Sequence, residues 1–379
     1  MDPAAYPAAR TIAPLAHAHF ARHLDTAREQ GIGPMAALPD EEAIEAMIDA
    51  AFWASLRREE GYVPRISLAF LAPEHSPFPL QLERPFPLGA GALARVAPAV
   101  ERPGIHLGVW RTGGQLSVWG TTRSVPSFCF VLEVVGPGLL VIKHHRGDES
   151  GKFVNVAVLE GDRIKIVDEH GASLPDCPPL LNSMLGFESP ASWTGSLNVL
   201  VQLAVSMRAH GRGGLLLVVP PGTEAWRESI VQPMAYGLLP AYSRLADLMR
   251  EPAEAQRRRP WREALGRAID TIAGLTAVDG ATVITDEYDL LAFGAKIVRR
   301  DGARQVDQIT VTEPVAGDAP LTMHPSQLGG TRHLSAAQFA QDQRDAVALV
   351  ASQDGRFTVF AWSPCEESVH AHRVETLLL

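Results

Sequence analysis

Two short glycine-containing turns hold the residue types from which a site could be built. In Val278-Asp279-Gly280-Ala281, an aspartate stands at the entrance to the apolar run Ala281 to Thr285, behind a helical stripe of Leu265, Ala268, Ile269 and Ile272. A carboxylate so placed can hold a divalent metal or orient a sugar hydroxyl, and the glycine lets a ligand approach the backbone. In Leu328-Gly329-Gly330-Thr331-Arg332-His333, backbone amides, a hydroxyl, a permanent cation and an imidazole precede a helix expected near Ser335 to Gln341. That set suits a polyphosphate. Each turn also has an ordinary reading: Asp-Gly between a helix and a strand is commonly only a turn, and Gly-Gly-Thr before a helix is commonly a capped start. The chain has neither GxxxxGK[ST] nor GxGxxG, which disfavours P-loop and Rossmann phosphate sites.

Other candidate ligands are sparser. His19 and His23 share a helical face by their i,i+4 spacing, while His17 does not join them, and no carboxylate accompanies the pair. His144-His145-Arg146 at a strand end reads as an exposed terminus before it reads as an anion or metal site, and His370 with His372 calls for equal caution. Cys129, Cys177 and Cys365 are odd in number and widely spaced, which suggests buried thiols and neither a disulfide framework nor a zinc site. Trp110 and Trp119 fit the core of a sheet. The run Arg257, Arg258, Arg259 reads as a solvated patch.

These groups must be positioned by two folded domains, since 379 residues exceed one small domain. Hydrophobic residues at 46% and charged residues at 20% exclude disorder for most of the chain. The net charge of −9 argues against a general nucleic-acid surface. No apolar run is long enough to span a bilayer, and MDPAAYPAAR lacks a basic segment followed by an apolar one, so a cytoplasmic protein with no membrane partner is expected.

Along the first half, Ile44, Met47, Ile48, Ala51 and Phe52 behind Asp40 predict an amphipathic helix. The proline-rich stretch from Ala72 to Gly104 has neither period and is expected to be a loop or extended wrap outside the core. From Ile105 to Asp168, short β-branched runs with turns at Gly113-Gly114, Gly136-Pro137-Gly138 and Glu160-Gly161-Asp162 predict hairpins, giving an α+β domain with a β-rich block. The stretch Gly171 to Ser192 reads as a linker, with the boundary near residue 190, so that the domains span 1–190 and 191–379. In the second, Leu197, Leu200, Val201, Ala204 and Met207 form a helical face ending at His210-Gly211, LLLVVPP reads as a strand covered on both faces, and an excursion fills about 222–261. Helices alternate with strands to the end, which predicts an α/β domain with a mixed central sheet flanked by helices.

In this order the segments of the second half resemble the diadenylate cyclase domain, whose members make cyclic di-AMP from two ATP molecules. The similarity covers roughly Ser196 to Trp362 and rests on HGRGGLLLVV, on Asp279-Gly280-Ala281 as the family's DGA, on Gly330-Thr331-Arg332-His333 as the start of its GTRHR, and on DAVALVASQDGRFTVF as its closing hairpin. Leu334 replaces the motif's second arginine, and a long connection separates the two motifs. The resemblance implies that Asp279 binds Mg²⁺ or Mn²⁺ and helps to activate the attacking hydroxyl. It further implies that Gly280 and Ala281 line the nucleotide, that Gly330, Thr331, Arg332 and His333 hold the triphosphate, and that Ser352 and Asp354 border the pocket. Two copies must face each other, each with one ATP, so a homo-oligomer is expected. An enzyme regulated by its first domain is one outcome. A nucleotide sensor of the same fold, binding ATP or a cyclic dinucleotide without turnover, is the other; Leu334 favours it, and the intact Asp279-Gly280-Ala281 opposes it. GIHLGVW and KFVNVAVLEGDRIKI resemble, in layout, sensor-like domains placed before such cyclases.

Overall fold

The computed structural model describes residues 5–29, 31, 35–59, 61–145, 153–168 and 199–379, so the expected linker and the boundary near 190 lie outside the described residues. The chain divides into one unit of Met1–Val167 with Leu379 and another of Asp168–Leu378. Both are built on mixed sheets packed with helices.

In the first unit, α1 (Pro7–Glu29) and α2 (Glu41–Ser55) precede β1 (Ile66–Phe70), β2 (Leu80–Pro87) and α3 (Ala90–Val96). Six strands follow: β3 (His106–Thr112), β4 (Gln115–Thr122), β5 (Phe130–Gly136), β6 (Leu139–His145), β7 (Phe153–Glu160) and β8 (Arg163–Ile166). The order is β2-β4-β3-β1-β5-β6-β7-β8, with β1 and β3 parallel and every other pair antiparallel. Helix α2 starts where Asp40 accepts from the Ala43 amide at 2.8 Å, and its Ile44, Met47 and Ile48 meet Leu132, Leu140 and Ile142 of the sheet. The opposite face of β5 buries Val131 and the preceding Cys129 with Leu71; burial pushes that thiol up to about 12, so it stays protonated. Trp119 is buried and donates through its indole Nε1 to the Leu71 carbonyl at 2.6 Å; Trp110 is half-buried against Phe70.

The stretch from Ala72 to Gly104 departs from the expected loop. It contains β2 and α3, and Leu93, Ala94, Ala97 and Val100 are buried in the core. Pro85 and Pro87 are tolerated because β2 is an edge strand with one side free of partners. A seven-residue helix rich in alanine leaves too short a stripe to reveal a period.

The second unit begins with α4 (Val199–Ala209), β9 (Gly214–Val219), β10 (Tyr236–Tyr242), α5 (Arg244–Met249), α6 (Ala253–Gln256) and α7 (Arg259–Leu275). It continues through β11 (Ala281–Thr285), β12 (Leu290–Ala295), β13 (Ile309–Thr312) and β14 (Leu321–Met323) to α8 (Pro325–Leu328) and α9 (Thr331–Asp342). It closes with β15 (Val347–Ala351), β16 (Phe357–Ser363) and β17 (Ser368–Arg373). The strand order is β10-β12-β11-β9-β15-β16-β17-β13-β14. Leu216 and Val218 of β9 join the core under α4 and α7, while Leu215, Leu217 and Val219 join the core under α9. Burial on both faces explains the uninterrupted apolar run. The excursion 222–261 supplies the edge strand β10 and the helices beside it, and Val231 donates to the Lys296 carbonyl at 2.8 Å.

Candidate functional site

At the ends of β9 and β11 where these parallel strands begin, and where the antiparallel β15 finishes, a cavity of about 570 Å³ opens. Its volume lies in the range of small-molecule pockets. Asp279, Gly280 and Ala281 enter it from the start of β11, Gly330 to His333 from the start of α9, and Ser352 and Gln353 from the end of β15. Turns separated by a long stretch of chain therefore meet at one place because the sheet brings them there.

Gly280 is required twice over. Its φ is +121°, and a Cβ would stand 2.5 Å from the carbonyl carbon of Gly294, so the turn lies flat on β12. Gly213, with φ +71°, leaves room for Arg332: a Cβ there would sit 2.8 Å from a guanidinium nitrogen of that side chain. Gly330 caps α9, with Thr331 and Arg332 as its first two residues. The amides of His333 and Leu334 turn back to the Gly330 carbonyl, and a helix start leaves its first amides without intrahelical acceptors.

A residue without a motif completes the charge pattern. Lys296, just after β12, lines the cavity and holds Asp279 through Nζ–Oδ2 at 2.5 Å. That hydrogen bond and charge, aided by Arg332, hold the Asp279 carboxyl below the usual carboxylate range, so it is ionised at neutral pH. With Lys296 and Arg332 against Asp279, the lining carries more cation than anion. No spacing signal marks a single lysine in AFGAKIV; only its neighbourhood to Gly280, through Gly294, could have found it.

Other expected residues take different places. His333 is buried, its ring edge toward Phe360, and burial pushes its pKa down despite the nearby Asp354. It is a neutral ring at pH 7 and does not add a cation. Leu334 is half-buried against the α9-side core and is not among the lining residues, so its position does not face the cavity. Asp354 also lies outside the lining; it sits in the β15–β16 turn, where its hydrogen bonds with the Ser352 side chain and the Arg356 amide outweigh burial and hold its pKa down. Arg257, Arg258 and Arg259 are exposed and absent from the lining, and Arg259 pairs with Glu263 at 2.9 Å.

The metal candidates of the sequence resolve into packing. His19 and His23 of α1 meet His144 of β6, with ring centroids 4.4, 6.2 and 5.4 Å apart, beside Phe20 and Phe128. His144 is buried, which corrects the expected exposed strand end: it shares a strand face with Leu140 and Ile142. His370 pairs with Glu366 at 2.9 Å, and His372 bonds Thr312 at 2.7 Å, buried in β17. Among the described residues, no group of three or more His, Cys, Asp or Glu could hold a metal ion by itself. In the cavity, Asp279 is the one carboxylate of the lining, with Thr331 and Ser352 as hydroxyls. That donor set fits a Mg²⁺ or Mn²⁺ ion carried in on phosphate oxygens, since such ions commonly take one or two carboxylates plus substrate phosphates, and it does not fit an all-protein cage. Among the described residues no helix is long and apolar enough to cross a membrane.

Residues 33–123 match the family model described as "Probable sensor domain DACNV". No curated protein matches the chain. Among solved structures, a double mutant of DacA from Staphylococcus aureus is similar over 46% of this chain and 83% of its own, at 13% identity and a TM-score of 0.23.

Proposed function

We propose that the second unit is a diadenylate cyclase, condensing two ATP molecules into cyclic di-AMP with release of two pyrophosphates, and that the first unit regulates it. The observation that carries this reading is the single cavity lined by both Asp279-Gly280-Ala281 and Gly330-Thr331-Arg332-His333. In each of the two condensations, the 3′-oxygen of one ATP bonds to the α-phosphorus of the other, the bond from that phosphorus to the pyrophosphate oxygen breaks, and the hydroxyl proton passes to solvent water. Two copies of the chain, each with one ATP, must face each other for the ring to close.

In this reading Arg332, Lys296, the Thr331 hydroxyl and the first amides of α9 hold the phosphates and offset charge at the reacting phosphorus. Asp279, ionised, accepts a hydrogen bond from the attacking hydroxyl and fixes its direction. Gly280 and Ala281 admit the nucleotide against the backbone. His333 is a positioning residue that packs the first turn of α9, and Ser352 borders the cavity. A divalent ion bound through Asp279 would neutralise phosphate charge. Lys296 supplies a cation that Leu334 does not.

A second reading, a nucleotide sensor without turnover, is favoured by one observation: Asp279 is already occupied by Lys296. The discriminating experiment incubates the full chain and an Asp279→Asn variant with ATP and Mn²⁺ or Mg²⁺, with nucleotides identified by mass spectrometry. Cyclic di-AMP made by the parent and at least about 100-fold less by the variant, the scale on which loss of a group acting in the transition state is felt, supports the cyclase. ATP binding with no product across metals and protein concentrations sinks it and leaves the sensor.

A further inference from the structure

The opposite end of the same sheet holds a second cavity, of about 820 Å³, that shares no lining residue with the first. It begins at Val219 and Pro220, where β9 ends, whereas the first begins near Leu215, where β9 starts. Helix α9 contributes Thr331 to the first cavity and Gln341 and Asp342 to the second.

The chemistry of this lining is specific. The guanidinium of Arg344 lies over the Trp362 ring, 3.9 Å from its centroid, which joins a cation and an aromatic ring, the two kinds of group on which nucleic bases stack. Arg300 is engaged by Glu228 at 2.7 Å, and Asp342 accepts from the Arg300 amide and from Gln338. Arg304 and Arg344, both exposed, make no salt bridge among the described residues and stand available for an anion. Gln305, Gln308 and Asp307 add hydrogen-bonding groups for a base edge or sugar hydroxyls. Trp226 lines the same cavity, and its buried indole Nε1 has no acceptor among the described residues, which a well-packed interior rarely leaves.

We propose that this cavity is a second small-molecule site, for a purine nucleotide whose base stacks on the Trp362–Arg344 pair and whose phosphate meets Arg304. An apolar occupant would make no use of the Arg304 and Arg344 guanidiniums. Inorganic phosphate would leave the pair unused. The site stands independently of turnover in the first cavity.

The test is calorimetric titration of AMP, of GMP and of inorganic phosphate into the full chain and into Arg344→Ala, Arg304→Ala, Trp362→Leu and Arg332→Ala variants. Arg344 and Arg304 are exposed, so their replacement leaves the core intact even where Trp362→Leu fails to fold. The expected result is that at least one nucleotide binds, that binding survives Arg332→Ala, and that Arg344→Ala and Arg304→Ala each weaken it about tenfold or more, as loss of a stacked or charge-assisted contact should. The proposal is overturned if neither nucleotide binds at millimolar concentration, if binding is unchanged by both Arg344→Ala and Arg304→Ala, or if inorganic phosphate binds as tightly as the nucleotides. Loss of binding in Arg332→Ala alone would assign the nucleotides to the first cavity and would overturn the proposal equally. A cyclase assay that fails while Arg344-dependent binding persists would remove the proposed turnover and leave this site standing.

Discussion

The histidine cluster of the first unit and the first cavity of the second both gather chemically capable side chains from distant segments, yet only the cavity leaves them facing space. His19, His23 and His144 come from a helix face and a strand face, the surfaces that bury on folding, and their rings pack on one another and on Phe20 and Phe128. Asp279, Thr331 and Arg332 come from glycine turns at element ends, where the backbone stops filling the layer. Position within an element, more than residue type, decides whether a group is spent on packing or kept for a ligand.

The largest test of that difference is Gly280→Ala. A side chain at φ +121° costs about 1–3 kcal/mol of backbone strain alone, and its Cβ would collide with Gly294. ATP binding should fall beyond detection while the first unit's unfolding transition is unchanged; retained binding would show that the flat turn does not shape the cavity.

Acid should blur the contrast by acting on both units. Burial pushes His372 down to about 3 and His106 down to about 4, so each is neutral in the folded state and gains a proton on unfolding once the pH is below about 6.5. Their contribution is complete above pH 6.5 and is lost as the pH falls toward 4 and 3, with a slope of at most about 1.4 kcal/mol per pH unit for each group. Denaturant midpoints measured from about pH 7 to pH 4 should decline, less steeply in a His372→Gln variant. A flat profile would contradict the buried neutral rings.

Asp40→Ala should give the smallest effect and sharpen the comparison. Removing the N-cap of α2 and its contact with Arg111 should cost about 1 kcal/mol of stability and leave nucleotide binding unchanged. Altered binding would mean that the cap has a part in the second unit's chemistry.

Much of this arrangement was legible in the sequence where a local period or a turn signal existed. Asp40 and the stripe Ile44, Met47, Ile48 marked α2, and the unbroken run at Leu215 to Val219 marked a strand between two helical layers. The resemblance singled out Asp279 and Arg332, and the cavity brings them together. Lys296 was not legible, because its role depends on β12 lying against β11 and on no neighbour in sequence. Leu334 was legible in part: it follows the α9 cap by one helical turn and packs on the core beside Ala337. The second cavity was invisible, since its lining is drawn from segments between Val219 and Val369 with no common spacing.

Lys296 and Arg332 together make the first cavity a triphosphate site in the reading proposed above, and that role is tested most directly by titrating ATP into the parent chain and into Lys296→Ala and Arg332→Ala variants at one salt concentration. Each loss should weaken ATP binding by about one to two orders of magnitude, the value of a charge-assisted hydrogen bond of about 1.5–3 kcal/mol. ATP affinity unchanged in both variants would contradict the triphosphate role and place the nucleotide elsewhere.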